Sequence, residues 1–484
     1  MKSLFFFPTC SLFIICCNLL TSDICRGDDS MSLNSAIIRA LCHDPVIRKV
    51  DSDTREARGY SREVKASLGP QLRLEGSSGY VNRDRGFGGS AFTGDDLFSR
   101  QISLIGEQLL WDGGFHRYRW KDAEKRKEGK EMLEKAQREI TAFFTIKAFL
   151  DVNRARKQIH YARENVSVHR KVRQLAKDRA DAAGNQADVE LSSARHDLAV
   201  NLLKERELAL EQAGAVFKRY VDVMPSSHLQ MPSVPHIQSA GDIQPEGNFH
   251  YQAALLQRRA ALLAKQAIEQ RYKPNVLFRG TGALGEDVAG VRGRDNEVSA
   301  LVVVRWDLFE SGRKKGEMEQ ALADIDRQAA IIDETVVLLE QDIRSRWADY
   351  SSISGRISIL RKYERALDKT ATLYEEQFEL GTRPLLSTLD IKNEQIGAAI
   401  RLVDQEYEYD LLSYRLLSFG GRLIRETVGE SYLLPRPGDC DPKAPVSELP
   451  KQPRPVAVAV DPTPTVEKKK KFRPFGFLKA NHRE

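Results

Sequence analysis

Two histidines, two cysteines and two glycine-rich stretches are the residues of this sequence whose types first suggest chemistry. His160 and His169 stand nine residues apart in a charged, helix-forming stretch. Two histidines on one helix bind zinc when their spacing puts them on one face, which this spacing does not, so both are read as solvated. Cys42 and Cys440 lie far apart and show no CxxC or Cys/His pattern. Metal binding and dithiol redox chemistry therefore have no basis, and a bridge between the two is left open. The loops Gly86 to Gly94 and Gly285 to Gly293 lack the lysine-serine pair of a phosphate-binding loop and read as connections between strands. No nucleophile stands with a base at useful spacing. The expectation is a protein with no catalytic residues, no metal and no cofactor.

Composition narrows the class further. The 484 residues are 41% hydrophobic with a mean hydropathy of -0.43, which excludes a bundle of membrane helices and demands a large water-exposed portion. Met1-Lys2-Ser3 followed by the apolar run Leu4 to Leu20 has the form of a secretory signal, with a small-residue cut after Gly27. Cys17 and Cys25 lack the residues that precede a lipidated cysteine. Lys and Arg number 74 against 68 Asp and Glu, a net charge of +6. The excess gathers at Lys468 to Lys471, so nucleic acid is not an expected partner.

An internal repeat organises the rest. A helix from Ser32 to Lys65 runs into Leu68-Gly69-Pro70-Gln71-Leu72, and a helix from Asn248 to Gln270 runs into Tyr272-Lys273-Pro274-Asn275-Val276. Each proline marks the exit from helix into strand. Two alternating segments follow, then a marker: Leu110-Trp111-Asp112-Gly113-Gly114 in one copy and Leu308-Phe309-Glu310-Ser311-Gly312 in the other. The clearest strand sets Val298, Ala300, Val302, Val304 and Trp306 against Glu297, Ser299 and Arg305; its partner carries Val276, Phe278, Gly280 and Gly282. The first copy offers Leu72, Leu74, Ile102 and Leu104 around a loop from Asn82 to Phe98. Each segment is near the length a tilted barrel strand needs to cross a bilayer, with Tyr80, Trp111 and Trp306 near the ends.

Beyond each marker, Phe115 to Asp181 and Arg313 to Leu380 contain almost no proline or glycine. Each predicts a helix of roughly 100 Å. The apolar positions Ile140, Phe143, Phe144, Ala148 and Val152, and Leu338, Leu339, Ile343 and Trp347, recur at helical spacing and predict one buried stripe on each. The helices reverse at Ala182-Ala183-Gly184-Asn185-Gln186 and Gly381-Thr382-Arg383-Pro384 and return through Asp188 to Tyr220 and Leu385 to Leu423. The domain plan is a signal over 1–27, a first repeat over 28–235, a second over 236–430 and a Pro/Lys-rich disordered tail over 431–484.

Strands in lipid must close so that no backbone edge is unsatisfied, and four strands are too few to surround an interior. Several chains must share one barrel; three would give twelve strands with six helical hairpins continuing the pore. The fold class is mainly α with a membrane β-barrel.

The doubled helix, proline, hairpin and Trp-Asp-Gly-Gly or Phe-Glu-Ser-Gly unit resembles the TolC-like outer membrane factors over about Ser32 to Arg425. Phe378 to Leu386 followed by Leu389-Asp390 is similar to the tip of that family's second hairpin. Ala182 to Val189 resembles the first tip, and Tyr414 to Gly420 the closing helix, particularly in members serving type I protein secretion. The resemblance implies a homotrimer in the outer membrane with a long periplasmic α-barrel. It would be a passive exit duct docked to a periplasmic adaptor and an inner-membrane transporter, for type I protein secretion or small-molecule efflux.

The same resemblance assigns the periplasmic gate to Asp188, Phe378, Arg383, Ser387 and Asp390. Threefold repetition would turn Asp390 into a ring of carboxylates that favours cations or holds a closed state through links to Arg383. Phe378 stands where the family can carry a tyrosine and Ser387 where it can carry a second aspartate. A phenyl ring cannot donate the hydroxyl bond, so the gate is expected to be wired differently. Adaptor docking falls to Gly184 and Asn185 at one tip and to Gly381, Thr382, Arg383, Pro384 and Leu385 at the other. The competing reading is an elongated periplasmic coiled-coil adaptor without a pore, which would place short strands in small soluble domains.

Overall fold

The computed structural model describes residues 30–81, 97–183, 186–288 and 292–433. Residues 1–29, 82–96, 184–185, 289–291 and 434–484 lie outside them, and with them the expected signal, the expected disordered tail, and Gly184 and Asn185 of the first tip. Strand β1 (Ser30–Ser32) leads into α1 (Leu33–His43) and α2 (Pro45–Ala66). Strands β2 (Gln71–Val81) and β3 (Leu97–Trp111) precede α3 (Phe115–Ala183) and α4 (Gln186–Val221). After β4 (His228–Gln230) the order of elements recurs: α5 (Phe249–Arg271), β5 (Asn275–Glu286), β6 (Arg294–Arg305), α6 (Arg313–Glu379) and α7 (Leu385–Phe419). A short α8 (Leu423–Thr427) follows.

The helix expected from Ser32 to Lys65 is two helices. Ser32 caps α1 by accepting from Ser35 N, and Asp44 ends it and starts α2, its Oδ1 accepting from Val46 N at 2.9 Å with Pro45 in the first turn. The other oxygen of Asp44 accepts from Thr141 Oγ1 of α3 at 2.8 Å, so the break is fastened to the long helix. Cys42, near this break, is disulfide-bonded.

The repeated marker is a strand-to-helix turn. In the first copy Gly113 adopts φ +68 and the Asp112 carboxylate accepts from Gly114 N and His116 N, both at 2.8 Å, capping α3. In the second, Gly312 caps α6 at φ +87. Helix α3 has 69 residues and α6 has 67, about 100 Å each.

The main core forms midway along the helices, where α1, α3, the end of α4, the end of α7 and α8 converge. Phe149, Phe217, Tyr414, Leu33, Ile37 and Leu423 are fully buried there. The connection between α4 and α5 is strapped across this belt. Arg156 donates to the carbonyls of Ser226 and Ser227, Ser413 Oγ donates to Pro235 O, and β4 pairs in parallel with β1. It ends in a close backbone crossing, where a Cβ on Gly247 would stand 2.4 Å from Gly420 O. The apolar stripes are narrower than expected: Phe143, Ala148, Val152, Leu339 and Ile343 are buried, but Phe144 and Leu338 are exposed.

Candidate functional site

Four strands form one antiparallel sheet in the order β2-β3-β5-β6. Its register sorts the side chains by chemistry. Leu74, Leu104, Gly282 and Val298 lie opposite one another across the sheet, as do Gln108, Phe278 and Val302. The offset rows carry Glu75, Ser103, Ala283 and Glu297, or Gln71, Glu107, Arg279 and Leu301. One face is thus largely apolar and the other largely polar, as period-two alternation requires. Among the described residues no helix covers the apolar face: Leu72 is 73% exposed and Val298 94%. On the polar face Arg279 Nε donates to Glu107 Oε1 at 2.7 Å. Aromatic residues stand at both ends, Tyr80 edge-on to Phe98 at 5.0 Å at one and Trp111 and Trp306 at the other. An exposed apolar face bounded by aromatics, backed by a polar face, suits a barrel wall between lipid and water.

The far end of the long helices carries the tip. Helix α6 stops in a Schellman turn: Gly381 takes φ +75, its N–H meets Phe378 O at 2.9 Å, and Thr382 N–H meets Gln377 O at 2.9 Å. Pro384 then starts α7. Arg383 folds back on its own hairpin, donating through Nε and Nη2 to Gln377 Oε1 and lying 3.7 Å above the Tyr374 ring. Within the chain it makes no link to Asp390. That carboxylate is met instead by Arg195 Nη2 of α4 at 3.4 Å. Ser387 Oγ donates to Pro384 O, and Asp188 occupies the first turn of α4, where negative charge suits the helix dipole.

Phe378 is 2% exposed in a small apolar cluster with Val172, Ala176, Leu385 and Leu389. The Arg179 guanidinium lies 4.0 Å over its ring and donates to its carbonyl at 2.7 Å. Leu385, expected at the docking surface, packs in this cluster because it is the first residue of α7 facing α3. Gly184 and Asn185 lie outside the described residues.

A seam of buried polar groups joins α3 to α4 and α7 above the tip. His169, expected in solvent, is 1% exposed. Its Nε2 lies 2.9 Å from Asn393 Oδ1 and its Nδ1 has no partner. Burial pulls its pKa below the usual histidine value. Farther up, Gln158 donates to Asp404 at 2.7 Å and accepts from Arg206 at 3.1 Å. His160 is exposed.

Sequence reasoning also missed the contact that fixes the start of α8. Both oxygens of Glu139 on α3 accept backbone N–H groups, of Leu423 at 3.1 Å and Ile424 at 3.0 Å. Burial pushes its carboxyl up to about 7, against the pull of those two donors. The signal was present: Glu139 precedes Ala142, Ile146 and Phe149 at helical spacing, which puts it on the buried stripe.

The fold finds counterparts among known proteins. The outer membrane efflux protein family model matches residues 36–216. Outer membrane efflux protein BepC of Brucella suis is 20% identical over 437 residues, 87% of this chain and 93% of its own length. Protein CyaE of Bordetella pertussis is 21% identical over 419 residues, 83% of this chain and 86% of its own. The Campylobacter jejuni CmeC outer membrane channel shares the fold at a TM-score of 0.70 and 14% identity, over 80% of this chain and 85% of that one. Taken with the geometry of the sheet and hairpins, these matches make the chain similar to the outer membrane efflux proteins and support a TolC-like export channel subunit of the outer membrane with a helical periplasmic extension.

Proposed function

We propose that three copies of this chain close a shared twelve-stranded barrel and a periplasmic tube, forming the passive exit duct of a tripartite export system. The observation that carries this reading is the sheet: an uncovered apolar face, and edge strands β2 and β6 with no further strand beside them among the described residues. Such edges in lipid require another chain. The helices support it. Val337, Leu338, Ile359 and Leu373 on α6 and Leu198 and Leu208 on α4 are exposed in the single chain, where a neighbouring copy would cover them. A coiled-coil adaptor without a pore has no use for this sheet.

Substrate would be delivered by an inner-membrane transporter through a periplasmic adaptor that docks at the tip, on Gly381, Thr382, Arg383 and Pro384. Leu385 supports that surface from beneath. The gate would lie at Asp390, with Asp188, Arg383 and Ser387 near it and Phe378 setting the packing of the hairpin. Type I protein secretion and small-molecule efflux both fit such a duct, because the transporter selects the cargo. The test is single-channel conductance of the purified protein in a planar bilayer, with its mass in detergent. Discrete conducting steps from a trimer are expected; an elongated soluble protein without conductance would overturn the reading.

A further inference from the structure

The seam that joins α3 to α4 and α7 buries one titratable ring in surroundings that suit only its neutral form. His169 is 1% exposed. It precedes Val172 and Ala176, the α3 residues that pack with Phe378, Leu385 and Leu389 at the tip. Its Nε2 reaches Asn393 Oδ1 of α7 at 2.9 Å. Nδ1 has no partner among the described residues, and Asn165 Oδ1, one turn earlier on α3, has none either. A neutral imidazole that donates from Nε2 leaves one lone pair unmet. The imidazolium carries a second N–H, and a buried N–H without an acceptor is costly.

The charged groups around the ring add to that cost. From α4, Arg195 and, when protonated, His196 repel a positive charge at this position. On α7, Asp390 is paired with Arg195 at 3.4 Å, Lys392 with Glu375 of α6 at 2.8 Å, and Glu394 accepts from Tyr363 Oη of α6. On α3 itself, Glu164, Arg170 and Lys171 are exposed. Among the described residues no carboxylate bonds the ring. Burial first, and then these cations, hold its pKa below the usual histidine value.

We propose that His169 is an acid-operated release: protonation expels the ring from the seam and frees α7 from α3 beside Asp390. The sign follows from the depressed value. The contribution of the neutral ring is complete above 6.5, the ordinary histidine value, and is lost as pH falls through the lower folded value. Asp390 lies within one turn of Asn393, so the carboxylate assigned to the gate moves with the released helix. That consequence rests on the gate reading above; the release itself does not.

The test is hydrogen exchange of the purified full chain in detergent over about pH 5 to 8. Exchange at the histidine C2 position reads the titration of His169, and amide exchange, corrected for intrinsic rates, reads residues 165–176 and 385–396. His169 is expected to titrate below 6.5. Amide protection in both segments should fall about tenfold or more as the ring protonates. Residues 422–427, where Glu139 acts in the opposite sense, should keep theirs. His169→Gln, neutral throughout and able to donate to Asn393, should hold its protection at low pH, while His196→Gln retains the pH dependence. Arg195→Gln removes a facing cation and should move the His169 midpoint upward. A His169 midpoint at or above 6.5, protection lost equally at 422–427, or pH dependence unchanged in folded His169→Gln would overturn the release. Conductance of the reconstituted protein over the same window reads the gate separately. Exchange that responds while conductance does not upholds the release and removes Asp390 from the gate.

Discussion

Arg195 of α4 and Asp390 of α7 meet at 3.4 Å, so the carboxylate assigned to the gate is already paired across the two hairpins of one chain. The pair is substantially exposed, and exposed pairs contribute about 1 kcal/mol or less. Its weight is therefore in charge placement more than in stability.

Asp390→Asn is expected to leave thermal stability within about 1 kcal/mol of the parent, while lowering the cation preference of the reconstituted channel, because a neutral amide removes one charge per subunit from the constriction. Ion selectivity from reversal potentials in bilayers measures this. An unchanged reversal potential would remove Asp390 from the conducting path.

The Glu139 carboxyl gives a pH signature. Its folded pKa, about 7, exceeds its ordinary value of 4.5. The contribution it makes is full below pH 4.5 and is lost as pH rises through about 7, a span worth about 3 kcal/mol. Hydrogen exchange at residues 422–427, corrected for intrinsic rates, should show protection falling over that window. In Glu139→Gln the dependence should flatten.

The two faces of β6 should answer differently to the same insertion. Val298→Arg places a cation on the apolar face and is expected to cost about 2–4 kcal/mol in folding into lipid vesicles. Ser299→Arg, one residue on and facing the polar side, should cost far less. Equal effects would contradict the assignment of faces.

Phe378→Ala should loosen the tip by about 3–5 kcal/mol, since it empties a small cluster and removes the ring under Arg179. Limited proteolysis near residues 381–384 should accelerate, while the belt around Phe149 and Tyr414, a separate cluster, keeps its protection.

Much of this architecture was legible because its signals are local. Pro70 and Pro274 stop helices, Gly113 and Gly312 supply positive φ at the strand-to-helix turns, and period-two alternation assigns Val298 and Glu297 to opposite faces. What escaped depends on partners distant in sequence. The Asp44-Pro45 break was written in the chain but outweighed by helical periodicity on both sides. His169 reads as solvated because its neighbours are charged, and only docking of α7 buries it beside Asn393. The link from Arg383 to Asp390 came from the family resemblance, and within one chain the Schellman turn aims Arg383 back at Gln377.

The open edges of β2 and β6 bear on how the protein reaches its final state. In the shared barrel proposed above, a lone subunit cannot complete the hydrogen bonding of its own sheet, so its membrane portion would have no stable end point by itself. Insertion and association then form a single higher-order process, whose yield depends on the local concentration of chains. The long hairpins, rich in local contacts, can form early in each copy. Scarcity of subunits would therefore leave finished helices waiting on an unfinished wall, and supply of chains would set the pace at which pores appear.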